Sequence, residues 1–478
     1  MPTGAPVGIR TAAPYGDGVT DEPHNRRREA GVTTDGPSTD TEPGPLDGPS
    51  TGNGHDHAAG PTTVLLTAPR DGTPTPVTTP AELEAVTRAF ANGHGPVAVD
   101  AERASGYRYT HRAYLVQLRR AGAGTVMIDP TPFADLRMLA DAISDAEWVL
   151  HAASQDLPCL AELGMLPTRL FDTELAARIT GFERVGLAAL TETLLGYALE
   201  KHHSAADWST RPLPQSWLTY AALDVELLLD LRQLLSVELE RQGKTEWAAQ
   251  EFAALVAGAD RPPRPRPDPW RRTSGIHRVR GARALARVRA LWYARDRVAA
   301  RRDASPGRVL SDAAIIAAAE SDPRDERSLL ALAGFSGRSV RRLSGVWLDA
   351  LEQTRALGDT ELPTTPLSDG PPPPHRWAER DPAAAARLAR SREVMVGLST
   401  TYRLPPENVL APDFVRRLAW SPPQPSTAEL VGQVLEGFGA RRWQIELTAQ
   451  KLAMAVSAPA VPTSPAVEAT PESGNLDQ

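Results

Sequence analysis

The chain has 478 residues, 36 of them glycine and 44 proline, with one cysteine and a net charge of −7. Its length suggests about three domains at roughly 100 to 200 residues each, and Gly and Pro exceed their usual combined share of about 12%, which marks linkers and tails. The single Cys159 excludes an intramolecular disulfide or a cysteine-built zinc cluster. With no apolar run of the ~18 to 20 residues that a bilayer span needs, and no apolar segment in MPTGAPVGIRTAAPYG, a soluble cytoplasmic protein is expected.

Residues 1–62 mix Gly, Pro, Thr and Asp without Trp or Phe, so they cannot bury enough surface to offset ordering entropy and are expected to form a disordered, acidic tail. A mixed α/β unit is predicted over 63–255. Thr79 reads as a helix cap with Pro80 at the first helical position, Leu83, Val86 and Phe90 on one face, and Gly93 as the stop. Short apolar runs at 96–100, 114–118 and 125–128, separated by glycine-containing turns, suggest a meander of three strands. A helix over 133–142, a strand over 148–151 and a helix capped by Ser154 and running to Leu163 follow, and 172–180, 187–195 and 214–241 have helical spacing. The pattern is a mixed sheet with helices packed around it.

The segment RPPRPRPDPW lies in a linker over 256–276, because each proline removes a donor and fixes the backbone. Two all-helical units are predicted at 277–356 and 376–455, joined by a linker over 357–375, with a Pro, Ser and Thr tail from 456. Residues 261–302 hold fourteen arginines against Asp268 and Asp296. Arg280, Arg283 and Arg287 fall on one helical stripe and Arg297 and Arg301 on another, which suits a phosphate backbone, the alternative being a solvated linker and helix face.

Asp100 and Glu102, as D-A-E, share one face of a strand by its period of two. Asp156 falls at a strand-to-helix junction in H-A-A-S-Q-D, where an acid also favours a helix N-terminus. Tyr220 and Asp224 lie one turn apart on a helix. Each feature alone has a bland reading as a solvated or structural group. Together they supply four carboxylates able to converge, hard oxygen donors that suit Mg²⁺ or Mn²⁺. Two such ions can serve phosphodiester hydrolysis, with Tyr220 placed to orient the water.

The motifs V-A-V-D-A-E with Y-L-V-Q-L after it, V-L-H-A-A-S-Q-D-L and L-T-Y-A-A-L-D-V, with F-D-T-E-L-A-A-R-I-T-G, G-L-A-A-L and K-H-H-S-A-A-D-W-S-T-R-P-L between the last two, resemble the ribonuclease D family over about residues 63–245. This is the tyrosine branch of the DEDD 3'-to-5' exonucleases. The resemblance implies a ribonuclease H-like α/β exonuclease domain followed by two small all-α domains. It further implies that Asp100, Glu102, Asp156 and Asp224 bind two divalent ions and that Tyr220 positions the nucleophilic water; Thr219 stands where the sister branch would carry histidine. R-A-L-W-Y-A-R-D, P-G-R-V-L-S-D-A-A-I-I and L-A-G-F-S-G resemble the helicase-and-RNase-D C-terminal (HRDC) domain, and the third unit reads as a diverged second copy. The expected activity is removal of nucleotides from RNA 3' ends, with tRNA precursors or structured RNAs as substrates. A DNA exonuclease of the same fold and a catalytically silent RNA-binding protein are the alternatives.

Trp208 and Arg211 could contact RNA, with core packing and a salt bridge as the equal alternative. Asp172 reads as a helix cap, His151 as a structural hydrogen-bonding group, Cys159 as a buried inert thiol, and His202 and His203 as loop residues.

Overall fold

A computed structural model describes residues 63–199, 205–261, 266–364 and 370–458. The predicted N-terminal tail, nearly all of the C-terminal one and the His202–His203 pair lie outside the described residues. The first unit has seven strands: β1 (Val64–Leu66), β2 (His94–Arg103), β3 (Ala113–Ala121), β4 (Gly124–Ile128), β5 (Glu147–Leu150), β6 (Arg169–Asp172) and β7 (Tyr197–Leu199). Five of them form a sheet in the order β4-β3-β2-β5-β6, while β1 and β7 pair in parallel apart from it. The β2-β3-β4 meander is antiparallel, and β5 and β6 extend the sheet in parallel with β2. The C-terminal ends of β2 and β5 therefore adjoin, the place where open α/β sheets commonly put their chemistry.

Around the sheet pack α1 (Pro80–Asn92), α2 (Arg137–Ala142), α3 (Leu157–Glu162), α4 (Thr173–Thr180), α5 (Leu187–Leu190), α6 (Gln215–Glu226), α7 (Leu228–Arg241) and α8 (Thr245–Gly258). At α1 the Thr79 hydroxyl accepts from the Glu82 amide at 3.4 Å and the Glu82 carboxylate accepts from the Thr79 amide at 3.0 Å, a reciprocal capping box. Several boundaries differ from the sequence expectation. Strand β2 extends through Arg103, so Asp100 and Glu102 lie inside the ladder opposite Gln117 and Leu115; acids are depleted in strands, which hid this. R-L-F-D forms β6 ahead of α4, too short a run to stand out. The predicted 214–241 helix breaks at Leu227, and 187–195 narrows to α5 followed by a wider π turn. Ser154 caps nothing; Ala152 turns left-handed at φ 58°, and a 3-10 turn over Ala153–Gln155 leads into α3.

The first helical unit contains α9 (Ala282–Arg302), α10 (Pro306–Val309), α11 (Asp312–Ser321), α12 (Glu326–Leu330), α13 (Arg338–Arg341) and α14 (Ser344–Arg355). Trp270, in the predicted linker, is fully buried in this unit's own core beside Leu291 and Trp347, so the unit begins earlier than the prolines suggested. The second contains α15 (Trp377–Arg380), α16 (Pro382–Tyr402), α17 (Pro406–Val409), α18 (Pro412–Trp420), α19 (Ala428–Phe438) and α20 (Arg442–Ser457). Its core is continuous with that of the sheet domain. Trp247 of α8 stacks on Trp443 at 4.8 Å and meets Tyr402 edge-on at 5.5 Å. No helix among the described residues is long and apolar enough to cross a membrane.

Candidate active site

The site forms where β2, the β5-to-α3 turn and α6 meet. Asp100 and Glu102 project from one face of β2, and α6 crosses that face. Both ends of α6 are fixed by residues the sequence reading passed over or read otherwise. At its C-terminus Glu226, 2% exposed, lies 3.2 Å from Arg119 of β3 and 3.6 Å from Arg70. Ahead of its N-terminus, Arg211 donates to both carboxylate oxygens of Asp129 at 2.6 and 2.9 Å, and to the carbonyls of Trp208, Thr210 and Tyr114. Trp208 is fully buried against Trp217 at 5.3 Å. Both are thus part of the internal frame that sets α6: for Trp208, which has no exposed face, the expectation of RNA contact is corrected, and Arg211 spends its donors within the protein, the salt-bridge alternative of the sequence reading.

Carboxylate oxygens of Asp100, Glu102 and Asp224 lie within 4.8 Å of one another. Asp156, 5% exposed, lines the same cleft but is turned toward Arg103, whose Nη2 is 3.4 Å from its Oδ1. The cleft encloses about 500 Å³ and is lined also by His151, Gln155, Leu187 and Tyr220. Burial raises the pKa of all four acids; it lifts Asp100 to about 6, and the neighbouring carboxylates push Glu102, Asp156 and Asp224 further up. Crowded, buried like charges of this kind need a counter-cation. The all-oxygen set fits a hard divalent ion better than zinc. Tyr220 donates a hydrogen bond to Asp224, and burial together with the neighbouring carboxylates holds its phenol protonated. Thr219 faces away, sharing a 2.9 Å hydrogen bond with Thr73.

Asp172 caps α4, accepting from the Glu174 and Leu175 amides at 2.9 and 3.1 Å, and it does more. Its oxygens also accept from the Ala152 and Ala153 amides at 3.1 and 2.8 Å, bracing the left-handed turn that delivers Asp156. The aspartate of F-D-T was the signal for this second job, but only the fold connects it to the turn. His151 shares a 2.9 Å hydrogen bond with Thr173, and burial lowers its pKa to about 4, so it is neutral at pH 7. Cys159 is buried, its thiol donating to the Asp156 carbonyl at 3.1 Å and pushed up to about 12 by burial.

Residues 74–240 match a family model described as a 3'-5' exonuclease, 284–351 match the HRDC domain and 370–456 a 3' to 5' exonuclease C-terminal domain. The chain is 34% identical to ribonuclease D of Gluconacetobacter diazotrophicus over 354 residues, 72% of this chain and 85% of that one. The chain belongs to the ribonuclease D family. It is a 3'-to-5' exoribonuclease, and its substrate is a nucleic acid. The crystal structure of a protein from Bifidobacterium adolescentis covers 83% of this chain and all of that one at 38% identity and a TM-score of 0.76. Escherichia coli RNase D, titled an exoribonuclease involved in structured RNA processing, covers 77% and 99% at 25% identity and a TM-score of 0.57.

The arginine stripe expected to face phosphate is divided in this ribonuclease D relative. Arg287 donates to the Ala319 carbonyl at 2.6 Å, and Arg283 pairs with Asp359 at 3.0 Å, so both serve the helical unit itself. Arg280 is exposed but lies two residues before α9 and reaches the His277 carbonyl. Arg297, Arg301 and Arg302 are exposed in the C-terminal half of α9.

Proposed function

We propose that Asp100, Glu102, Asp156 and Asp224 hold two divalent ions, Mg²⁺ or Mn²⁺, and that the cleft trims RNA 3' ends one nucleotide at a time, releasing nucleoside 5'-monophosphates. The observation that carries this is the convergence of the β2 acids with Asp224 of α6 within 4.8 Å, in a cleft that Asp156 also lines. When bound, the ions would supply water activation near neutral pH and stabilise charge on the leaving 3' oxygen. The chain's own residues do the rest. Tyr220, protonated and tied to Asp224, orients the attacking water through its hydroxyl, and neutral His151 takes no part as a base. The braced turn at Ala152 sets the position of Asp156. Structured RNAs, tRNA precursors among them, are the substrates this reading favours, in keeping with the processing role named for the E. coli relative, and the cytoplasm is the matching compartment. A crowded acid cluster would repel a phosphate backbone, which counts against a purely binding role.

The test uses 3'- and 5'-labelled RNA and DNA of one sequence, with Mg²⁺, Mn²⁺ or chelator. The expected result is metal-dependent release of 5'-monophosphates from RNA, lost in Asp100→Asn, Glu102→Gln, Asp156→Asn and Asp224→Asn. Tyr220→Phe should be slowed by roughly 10² to 10³, the effect of one positioned hydrogen bond, with RNA binding unchanged. Equal rates on DNA would move the substrate class, and near-normal rates in any two acid variants at saturating Mn²⁺ would sink the four-acid site.

A further inference from the structure

Strand alternation sends residue 103 to the face opposite Glu102, yet Arg103 lines the same cleft as the acids. The cause is a slip in pairing. Glu102 pairs with Leu115 and Arg103 with Ala113, which leaves Tyr114 over, and such irregularities re-aim the side chains beside them. The result is an arginine at the mouth of an acid cluster. Among the described residues lining the cleft it is the one permanent cation, its side chain is 27% exposed, and Asp156 is its one ion-pair partner. The three acids that crowd together are those Arg103 does not hold.

We propose that Arg103 is a latch on Asp156: its guanidinium holds that carboxylate away from the Asp100, Glu102 and Asp224 cluster, and an ion that recruits Asp156 must first displace it. This rests on the reading of the four acids as metal ligands. It makes Arg103 a positioning residue that sets the affinity of one ion against the other. The cluster of three takes the first ion unopposed, and the ion that needs Asp156 competes with a cation already in place. A partly exposed guanidinium can swing out of the way without disturbing β2, whereas a buried one could not.

The experiment is calorimetric titration of the full chain with Mn²⁺ at neutral pH, for the wild type, Arg103→Met, Asp156→Asn and the double variant. Removing a competing, partly exposed ion pair should tighten the weaker Mn²⁺ step by roughly two- to fivefold. In the Asp156→Asn background the same change should have no effect, because nothing remains to unlatch. Arg103→Lys, which keeps the charge, should stay near the wild type and shows whether loss of the side chain's bulk, not its charge, is responsible. An equal tightening with and without Asp156 would overturn the latch and leave general electrostatics. Unchanged Mn²⁺ affinity with a raised KM for RNA would overturn it in favour of a phosphate contact. A wild type that binds no Mn²⁺ would remove the four-acid reading, and the latch with it; a wild type that binds two ions with Arg103→Met unchanged removes the latch alone.

Discussion

The two helical units repeat one geometry 100 residues apart and differ in almost everything they present to the outside. Helix α9 ends in left-handed Asp303 and α16 in left-handed Arg403; Leu310 and Leu410 are both extended after a one-turn helix. Val309 and Val409, Ile315 and Val415, and Ala319 and Ala419 occupy matching buried positions. Of the seven arginines in α9 only Arg287 has an arginine at the matching place, Arg387, and both donate to a carbonyl, of Ala319 and Ala419. That one internal bond is kept in both units, whereas Arg283 and Arg295, which also bond within the first unit, have Ala383 and Met395 as counterparts. Exposed Arg297, Arg301 and Arg302 correspond to Gly397, Thr401 and Tyr402. Buried Arg295, paired with Asp312 at 2.6 Å, corresponds to Met395 beside a helix that begins at Pro412. An ion pair and an apolar pair fill the same slot, as expected when the desolvation cost of a buried pair roughly cancels its attraction.

Their seams with the exonuclease domain differ in the same sense. The first unit touches the loop after β2 through polar groups. The Asp303 carboxylate accepts from the Tyr109 and Thr110 amides at 3.2 Å, Ser305 donates its amide to the Tyr107 carbonyl at 2.9 Å, and Arg308 lies 4.0 Å over the Tyr107 ring. The second unit shares a core with α8, sealed by Trp443, and by Lys244 donating to the Ile179 and Tyr402 carbonyls at 2.8 and 2.7 Å. A polar seam is separable and an apolar one is not.

The largest test of that difference compares Trp443→Ala with Trp347→Ala. Each removes a buried ring at a cost of about 3 to 5 kcal/mol. Trp443→Ala should lower the melting of the exonuclease domain and its activity together, whereas Trp347→Ala should melt the first helical unit alone and spare hydrolysis of short single strands. Two calorimetric transitions that both move in either variant would break the distinction.

The seams should also answer pH in different windows. Burial lowers Lys244 from its usual 10.5 to about 8. The stability linked to it is therefore present above about pH 10.5 and lost as pH falls through 8, so alkali should tighten the second seam by on the order of 1 kcal/mol, and Lys244→Met should erase that rise. For Asp303, burial raises the pKa but the hydrogen bonds from Thr110 and Tyr109 outweigh it, so it lies below 3.8. Its contribution is complete above that value and is lost as pH falls past it, so acid should loosen the first seam. Hydrogen exchange in 104–112 and in α8 across pH reads both.

A smaller effect is expected when Arg297, Arg301 and Arg302 all become Gln. The slope of log K against log salt for RNA should fall by roughly one for each arginine that meets a phosphate; an unchanged slope would leave the first unit no more basic in function than the second. Smallest of all, Tyr109→Phe removes a 3.1 Å hydrogen bond to Asp296 and should cost about 1 kcal/mol of the first seam, measured as the gap between the two transitions.

Much of the catalytic unit was readable because its signals are local. Thr79-Pro80 capped its helix, the meander followed the apolar runs, and D-A-E lay on a strand as its period required. Local spacing also put Tyr220 above Asp224. What could not be read depends on partners far along the chain. For Trp208 and Arg211 RNA contact and internal packing stood level, because Asp129, Tyr114 and Trp217, which engage them, announce no such pairing in the sequence. Asp172 showed its nearby role as a cap and hid its remote one. Arg103 was passed over because a pairing slip, not strand alternation, decides where it points. The proline run concealed Trp270, whose burial depends on a core more than seventy residues long.

The core shared by α8 and α20 also bears on how the chain is made. The sheet and α7 are complete by residue 241, and α8 packs its Phe252 on Phe171 of β6, but its Trp247 waits for Tyr402 and Trp443. At ribosomal speeds of about 5 to 20 residues per second, that leaves it uncovered for roughly 10 to 40 s. During that interval the emerging nuclease is an unfinished body with Trp247 open to solvent, and a chaperone that shields α8 would be acting for a domain not yet synthesised. The loop at 104–112 likewise waits for Asp303 and Ser305. Both seams therefore close late, which ties completion of the nuclease to synthesis of nearly the whole chain.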